Sequence, residues 1–204
     1  GSTSKASYLF PPLDLLMLSG RLYGGFEITV IDAIADRLSQ GQAIEKISRF
    51  KADAVVCIVS MVSWDTDLAF LTLLKKHDPS VKIIANGDVF FEHPETILAE
   101  HDCIDAVIFD FISEDVIHYL KDEGEKASNM LYKKDGCIVV RKMTLPFSGA
   151  TFSMPIPRYE LFLNRNYRFP FAKRYPFTVV LTSFGCPFKC TFCANSNLLR
   201  LDKA

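Results

Sequence analysis

The sequence predicts an α/β fold for most of the chain: an open, mostly parallel sheet of the Rossmann-like type. Short apolar, β-branched runs alternate with segments of helical periodicity between residues 8 and 125. Such alternation is typical of parallel sheets that are covered by helices on both faces. The predicted strand ends carry neither a Gly-x-Gly-x-x-Gly nor a Walker sequence, so a dinucleotide or nucleoside triphosphate site is not expected.

Composition and charge exclude several classes of protein. Of the 204 residues, 49% are hydrophobic and 17 are phenylalanine, which excludes a disordered chain. The net charge of −1 gives no indication of the basic surface that nucleic-acid binding requires. No apolar run approaches the roughly 18 to 20 residues of a membrane span, and we expect a cytoplasmic protein. In that reducing compartment Cys57, Cys103 and Cys137 are expected to be reduced, buried thiols.

The helices and strands are predicted from periodicity and from proline and glycine punctuation. Leucines at helical spacing follow Pro11-Pro12 and end near Gly24-Gly25, which indicates a first helix. The alternating, β-branched run 26–32 indicates a strand. Further helices are predicted at 40–50, 67–76, 94–100 and 113–120, and further strands at 54–60, 81–85 and 105–109.

The second half of the chain is less regular. Residues 131–143 indicate a hairpin with Asp135-Gly136 as a type I′ turn. Residues 145–176 are rich in proline, glycine and aromatic residues, which indicates a linker ordered by packing. The predicted organisation is therefore an α/β domain (8–125), a hairpin and linker (126–176), and the start of a further domain (177–204). Gly1-Ser2 resembles a cloning remnant.

Three cysteines stand close together near the end of the sequence. Cys186, Cys190 and Cys193 have the spacing C-x3-C-x2-C and follow an apolar run at 177–181 that predicts a buried strand. A structural zinc site takes four protein ligands, so a zinc knuckle would need a fourth ligand elsewhere. A [4Fe–4S] cluster usually takes four cysteines, and three would leave one iron open for another ligand.

This motif after a strand resembles the radical S-adenosylmethionine (SAM) superfamily. The resemblance implies a [4Fe–4S] cluster on the three cysteines, SAM on the open iron, and Phe192 against the adenine. It implies that residues 177–204 hold the first strand of a barrel that is truncated here, so the fragment itself would be inactive. It also implies an electron donor such as flavodoxin or ferredoxin.

Several stretches of the first 100 residues resemble the cobalamin-binding domain of B12-dependent radical SAM proteins. They are the run Pro11-Pro-Leu-Asp-Leu-Leu-Met-Leu-Ser19, a strand ending in Ser60, and Asn86-Gly87-Asp88 with Pro94-Glu95 downstream. The resemblance implies that cobalamin is lined by Ser60, Met61, Val62, Ser63, Asn86, Gly87 and Asp88. Small residues there would let the backbone approach a large flat ligand. The alternative is that these are ordinary strand-to-helix turns.

Within this class the sequence looks most like the magnesium-protoporphyrin IX monomethyl ester oxidative cyclase branch, which implies a porphyrin substrate. The alternatives are a class B radical SAM methyltransferase and a scaffold domain that binds no corrin. The Asp-x-His-x-x-Gly motif is absent, which implies a cobalt without a histidine ligand. Trp64 is expected to pack in the core or at its rim, and His93 is the histidine nearest a predicted ligand loop.

Overall fold

The computed structural model of the chain describes residues 8–141, 155–163, 166–180 and 191–192. In this part of the chain, five strands form one sheet with helices on both faces. The predicted open, Rossmann-like α/β class is confirmed.

The sheet has the strand order β1-β2-β3-β4-β5. β1 (Ala54–Ile58), β2 (Lys82–Asn86) and β3 (Ala106–Ile108) are parallel and are joined by helical crossovers, as parallel neighbours require. β4 (Met130–Lys134) and β5 (Cys137–Val140) are antiparallel to their neighbours. The three parallel strands were predicted from their apolar runs to within two residues at each end.

Five α-helices accompany these strands in the described residues. α1 to α5 span Leu13–Leu22, Gln40–Phe50, Trp64–His77, Pro94–Glu100 and Asp115–Leu120. Each corresponds to a predicted helix, with ends that differ by a few residues. None of the helices in these ranges has both the length and the apolarity needed to cross a bilayer.

The start of α2 shows how local sequence sets a helix boundary. Ser39 Oγ accepts a hydrogen bond from the amide of Gln42 at 3.3 Å, and Gln42 Oε1 accepts one from the amide of Ser39 at 2.9 Å. This reciprocal capping box satisfies two amides that the first helical turn cannot pair. The chain therefore begins the helix at Gln40.

Two apolar clusters lie on opposite faces of the sheet. Ile83 and Ile84 are adjacent on β2 and fully buried, yet they belong to different clusters. Residues of α2, α3 and α4 complete the cluster on the Ile83 face, and residues of α1 and α5 complete the one on the Ile84 face. Because both faces are covered, the central strands are apolar at successive positions rather than at alternate ones.

The predicted hairpin is confirmed and extends the same sheet. Asp135 and Gly136 join β4 to β5 and have φ values of 50° and 76°. Positive φ at both central residues defines the type I′ turn, whose twist suits an antiparallel hairpin. β4 pairs with β3, so the hairpin supplies the fourth and fifth strands.

The described part of the linker packs against α1. The amide of Arg158 donates to Ser19 Oγ at 2.9 Å. A Cβ on Gly20 would lie 2.8 Å from the carbonyl oxygen of Ile156, so the close approach of the linker requires a glycine in α1. Apart from a short 3-10 helix at Tyr159–Phe162, packing rather than regular secondary structure orders this segment.

Two predicted strands are not strands in the described residues. Segment 26–32 is extended and alternates half-buried with exposed side chains as far as Val30, but it pairs with no neighbouring strand. The prediction was wrong because alternating apolar and polar residues indicate only that one face of the segment is buried. A strand also needs a hydrogen-bonded partner. Residues 177–180 are also unpaired here, and Leu181 lies outside the described residues.

A partly buried ion pair fixes α3 to the sheet. Lys75 Nζ lies 2.8 Å from Asp105 Oδ2 and also donates to the carbonyl of Val81 at 2.8 Å. The same carboxylate oxygen accepts the amide of Ile83 at 2.6 Å. The Lys75 and Asp105 side chains are only 22% and 23% exposed. Removing the carboxylate would leave the amide of Ile83 without this acceptor and Lys75 with only the carbonyl of Val81, in a poorly hydrated site.

Replacing Asp105 tests the contribution of this ion pair. Asp105→Ala is expected to lower the free energy of unfolding by about 2 kcal/mol, measured by urea denaturation. Glu45→Ala is the matched control, because Glu45 pairs with Arg49 on an exposed helix face and should cost less than about 0.5 kcal/mol. Equal losses in the two variants would contradict this account.

Candidate functional site

The loops that follow β1, β2 and β3 meet at one edge of the sheet. Carboxyl ends of neighbouring parallel strands lie side by side, and in open α/β sheets ligands bind at that edge. The amide of Met61, after β1, donates to Asp88 Oδ1, after β2, at 2.8 Å. The structure therefore brings the predicted residues Ser60–Ser63 and Asn86–Asp88 together.

The loop after β1 is held by a carboxylate of α3. Asp67 Oδ2 accepts hydrogen bonds from Ser63 Oγ at 2.6 Å and from the amide of Ser60 at 3.3 Å. With the loop backbone tied in this way, the side chains of Met61 and Val62 project into solvent and are 61% and 87% exposed. Two adjacent apolar side chains on a tied loop offer a contact surface for an apolar ligand.

Asp67 was not among the predicted site residues. The sequence placed it only at the start of a helix, and its role depends on the backbone turn from Ser60 to Ser63. One feature of the sequence could have indicated this role. Asp67 stands four positions after Ser63, in the first turn of the helix that follows the loop after β1. That spacing lets the carboxylate reach back to the loop.

The loop after β2 contains the closest backbone contact of this edge. Asn86 Nδ2 donates to the carbonyl of Ile108 at 2.6 Å and so ties the end of β2 to β3. A Cβ on Gly87 would overlap the carbonyl oxygen of Val59, just after β1. From the sequence, Gly87 was expected to be small so that a ligand could approach the backbone. The structure shows a different reason: the backbone of Val59 leaves no room for a side chain at this position.

Gly87→Ala tests this steric requirement. The added methyl group meets the backbone of Val59, and overpacking of this kind is expected to cost about 2 kcal/mol of stability in urea denaturation. Gly41→Ala is the control, because a Cβ on Gly41 meets no heavy atom within 4 Å. In helix α2 that change should be neutral or stabilising by up to about 1 kcal/mol. Similar effects of the two changes would refute the steric argument.

The loop after β3 contains a carboxyl group with a perturbed pKa. Asp110 Oδ1 accepts the amide of Ile112 at 2.9 Å, and the Asp110 carbonyl accepts Ser113 Oγ at 3.0 Å. Burial raises the pKa of Asp110, the hydrogen bond from Ile112 opposes that shift, and the nearby Asp115 carboxylate adds to it. The folded chain therefore favours protonated Asp110 more than the unfolded chain does.

The raised pKa of Asp110 predicts a pH-dependent effect of Asp110→Asn. The folded state holds the proton above the ordinary Asp pKa of about 4, so the contribution of Asp110 to stability falls as pH rises from there through its raised folded pKa. Asparagine keeps the oxygen that accepts from Ile112 and removes the charge. The variant should therefore melt higher than the parent chain at pH 7, and the difference should vanish below about pH 4.

Asp78→Asn is the control of opposite sign, with melting followed by circular dichroism. The hydrogen bonds from Ser80 lower the pKa of Asp78, so the stability that they supply is present at pH 7 and is lost as pH falls through the lowered pKa. Asp78→Asn should therefore melt lower than the parent chain at pH 7. A shift for Asp110→Asn that does not change with pH would contradict the burial of its charge.

Asp32 was predicted to end a strand, and in the structure it anchors the linker. Its Oδ1 accepts the amide of Ala35 at 2.8 Å, and its Oδ2 accepts the hydroxyl of Tyr167 at 2.8 Å. Burial and the Asp32 carboxylate raise the pKa of Tyr167, so the phenol remains a hydrogen-bond donor. Asn166 Nδ2 adds a bond to the carbonyl of Ala35 at 2.7 Å.

Trp64 is half-buried and packs against the rim of the core. Its ring is edge-on to Phe90 and His101, with centroid distances of 6.1 and 5.3 Å. It contacts the cluster on the Ile83 face of the sheet, in agreement with the expected packing in the core or at its rim. His93 is exposed and directly precedes α4.

The predicted cluster cysteines, Cys186, Cys190 and Cys193, lie outside the described residues, and the metal site stays a prediction. Phe192, predicted to contact the adenine of SAM, is 90% exposed. Within the described ranges no group of three or more His, Cys, Asp or Glu residues is placed to hold a metal ion.

The other three cysteines are free thiols, as expected, but they do not share one environment. Burial raises the pKa of Cys57 to about 12, so this thiol stays protonated. Cys103 is buried at 7% exposure. Cys137 is exposed, contrary to the prediction, because it begins β5 at the outer edge of the sheet.

Known proteins similar to this chain include a methyltransferase and a radical enzyme. Over 192 residues the chain is 28% identical to an uncharacterized methyltransferase of Pyrococcus horikoshii, a match that covers 91% of this chain and 41% of that protein. The apo structure of OxsB, a cobalamin-dependent S-adenosylmethionine radical enzyme, matches 74% of this chain and 22% of its own. Its TM-score is 0.55 at 16% identity. No protein-family model matches.

These similarities support the fold and show what fraction of each similar protein the chain covers. The likeness to OxsB shows that the α/β arrangement described here also occurs in a cobalamin-dependent radical enzyme. The chain spans less than half the length of the methyltransferase and less than a quarter of OxsB. Neither protein is described as a porphyrin cyclase.

Proposed function

We propose that the chain is part of a cobalamin-dependent radical SAM methyltransferase, whose α/β domain holds the corrin at the carboxyl edge of β1, β2 and β3. The observation that carries the proposal is the surface formed there by Ser60–Ser63 and Asn86–Asp88. It combines a tied backbone with exposed apolar side chains at the position where open α/β sheets bind ligands.

The side chains at this edge fit a large, flat and partly apolar macrocycle. Met61 and Val62 are the exposed apolar groups and would lie against the corrin. Polar backbone and side-chain groups of Asn86–Asp88 would face its amide periphery. The sequence has no Asp-x-His-x-x-Gly motif, so in this proposal the cobalt takes no histidine ligand.

A methyltransferase is favoured over the cyclase because the curated relative is a methyltransferase. When bound, cobalamin supplies the methyl group that such an enzyme transfers. In this proposal Cys186, Cys190 and Cys193 bind a [4Fe–4S] cluster, and Phe192 contacts the adenine of SAM. Flavodoxin or ferredoxin would supply electrons. Magnesium-porphyrin cyclisation is the second candidate, and only the resemblance of the sequence to the cyclase branch supports it.

Corrin binding is the first test. Titration with hydroxocobalamin followed by gel filtration should give co-elution of about one corrin per chain, with a visible spectrum lacking histidine ligation. The same titration is made on the longer protein that contains the rest of the radical SAM domain. If the corrin co-elutes with neither protein, the proposal is wrong and the scaffold alternative is favoured.

A matched pair of variants locates the corrin. Val62→Asp places a charge on a side chain that is 87% exposed, so it should leave the fold intact and weaken corrin binding at least about tenfold, or about 1.4 kcal/mol. Val140→Asp is the control, because Val140 is 51% exposed on β5, which three strands separate from β1 in the sheet. Equal corrin affinity in the two variants would place the corrin elsewhere.

The reaction type is tested on the longer protein with reconstituted cluster and cobalamin. SAM labelled in its methyl group should give a labelled methylated product in a methyltransferase. A cyclase would instead form 5′-deoxyadenosine without transferring the label. The second result would overturn the methyltransferase assignment without affecting the corrin site.

A further inference from the structure

The strand β5 ends at the same edge of the sheet as the candidate site. β4 is antiparallel to β3 and β5 is antiparallel to β4, so β5 runs in the direction of the three parallel strands. Its last residue, Val140, therefore lies at the carboxyl edge, and Arg141 follows it directly. Arg141 was not among the predicted site residues.

Arg141 stands level with the ends of β1, β2 and β3. Its amide donates to the carbonyl of Met130 at 3.0 Å, which extends the pairing of β4 with β5 by one residue. Met130 pairs with Ile108, and Asn86 Nδ2 donates to the carbonyl of Ile108. Asn86 in turn pairs with Ile58. These five residues form one row across the sheet, so Arg141 is three strand spacings, or about 14 Å, from Asn86.

The Arg141 side chain lies on the Ile84 face of the sheet. Residues that oppose each other in an antiparallel pair share a face, and Met130, opposite Arg141, is fully buried in the cluster on that face. Val139, two positions before Arg141, packs against the same cluster. Because successive residues alternate between faces, Val140→Asp places its charge on the opposite side of the sheet from Arg141.

The guanidinium of Arg141 carries a buried donor without an acceptor. Its Nε is shielded from solvent, and no described residue accepts a hydrogen bond from it. No carboxylate in the described part of the chain forms an ion pair with Arg141 either. Burying a donor without an acceptor is costly, and more so when the group is charged. Arg141 would therefore be stabilised by an acceptor that the described residues do not supply.

The carboxylates at this end of the sheet bind other donors. Asp115 is 2% exposed and accepts the amides of Ser128 and Asn129, each at 2.9 Å, just before β4 begins. Asp110, in the loop after β3, accepts the amide of Ile112. These bonds hold the loops beside β4, and they leave the charge of the neighbouring arginine for a ligand.

The shape of the unpaired group indicates the kind of ligand. Nε and one Nη of an arginine form a planar fork that matches two oxygens of a phosphate or a carboxylate. The side-chain amides around a corrin are neutral. At neutral pH the anionic group of cobalamin is the phosphodiester that joins the macrocycle to its nucleotide.

We propose that Arg141 binds the phosphodiester of cobalamin, with the macrocycle against Met61 and Val62 and the nucleotide directed towards β5. The assignment rests on the corrin site proposed above. Hydrogen bonds between charged groups are roughly twice as strong as neutral ones, and burial of Nε limits competition from water. Arg141 therefore lets the domain select cobalamin over a corrinoid that lacks the nucleotide.

Two corrinoids separate the phosphodiester from the macrocycle. Hydroxocobalamin has both groups, and cobinamide has the macrocycle without the nucleotide and its phosphodiester. Arg141→Met removes the guanidinium and keeps an apolar stem. Titrations of the purified chain should show that this variant binds hydroxocobalamin at least about tenfold more weakly than the parent chain does, with the affinity for cobinamide unchanged.

Arg49→Met is the matched control. Arg49 lies in the last turn of α2, ahead of the amino end of β1, and pairs with Glu45 on an exposed helix face. The variant loses the same charge at the opposite edge of the sheet, so both affinities should equal those of the parent chain. Arg141→Lys keeps the charge without the planar fork and should fall between Arg141→Met and the parent chain. If Arg141→Met does not fold, the two affinities of Arg141→Lys decide.

Urea denaturation without a corrinoid separates a ligand contact from a structural ion pair. Arg141→Met removes a charge that has no partner, so it should unfold at the same or a higher urea concentration than the parent chain. A lower midpoint would show that Arg141 is paired within the protein and would overturn the assignment.

The corrinoid titrations also distinguish the failure of this assignment from the failure of the corrin site. If the parent chain binds corrinoids and Arg141→Met weakens both equally, or neither, Arg141 does not bind the phosphodiester and the corrin site stands. If neither the parent chain nor the longer protein binds a corrinoid, the corrin site is wrong and the assignment of Arg141 fails with it.

Discussion

The parallel pairing of β1, β2 and β3 is the constraint on which the rest of the structure depends. Parallel neighbours need crossovers, which place helices on both faces and move the polar connections to the strand ends. At the carboxyl ends Asp88 ties the loop after β2 to the loop after β1, and Asp67 of α3 holds the loop after β1 in place. Beside β1 the same pairing rule leaves alternate peptide groups facing a cavity. The candidate site and the open side of β1 therefore both follow from one hydrogen-bonding pattern.

Much of this arrangement could be predicted from the sequence because its causes are local. Apolar runs of strand length identify β1, β2 and β3, and proline, glycine and capping residues identify the helices between them. Once a parallel sheet is assumed, its carboxyl ends must adjoin, so the proximity of Ser60–Ser63 to Asn86–Asp88 follows without coordinates. The type I′ turn at Asp135-Gly136 follows from two residues alone.

The remaining features depend on partners that are distant in sequence. Segment 26–32 has the alternation of a strand, but pairing requires a second backbone that periodicity does not report. Gly87 resembles a ligand-loop glycine, and only the position of Val59, 28 residues earlier, shows why a side chain is excluded. The same limitation applies to Asp67, whose carboxylate acts on a turn that must first be formed. Local patterns predict elements, whereas long-range contacts decide their roles.

The docking of the linker also limits how far the cysteine motif can move. Tyr167 is bonded to Asp32 and Arg158 to Ser19, so the linker starts from fixed points on the α/β domain. Five residues lie between Val180 and Cys186, and the six Cα–Cα steps that join them span about 20 Å when fully extended. Cys186 therefore lies no more than about 20 Å from Val180. Any group bound by those cysteines would therefore lie close to the end of the linker.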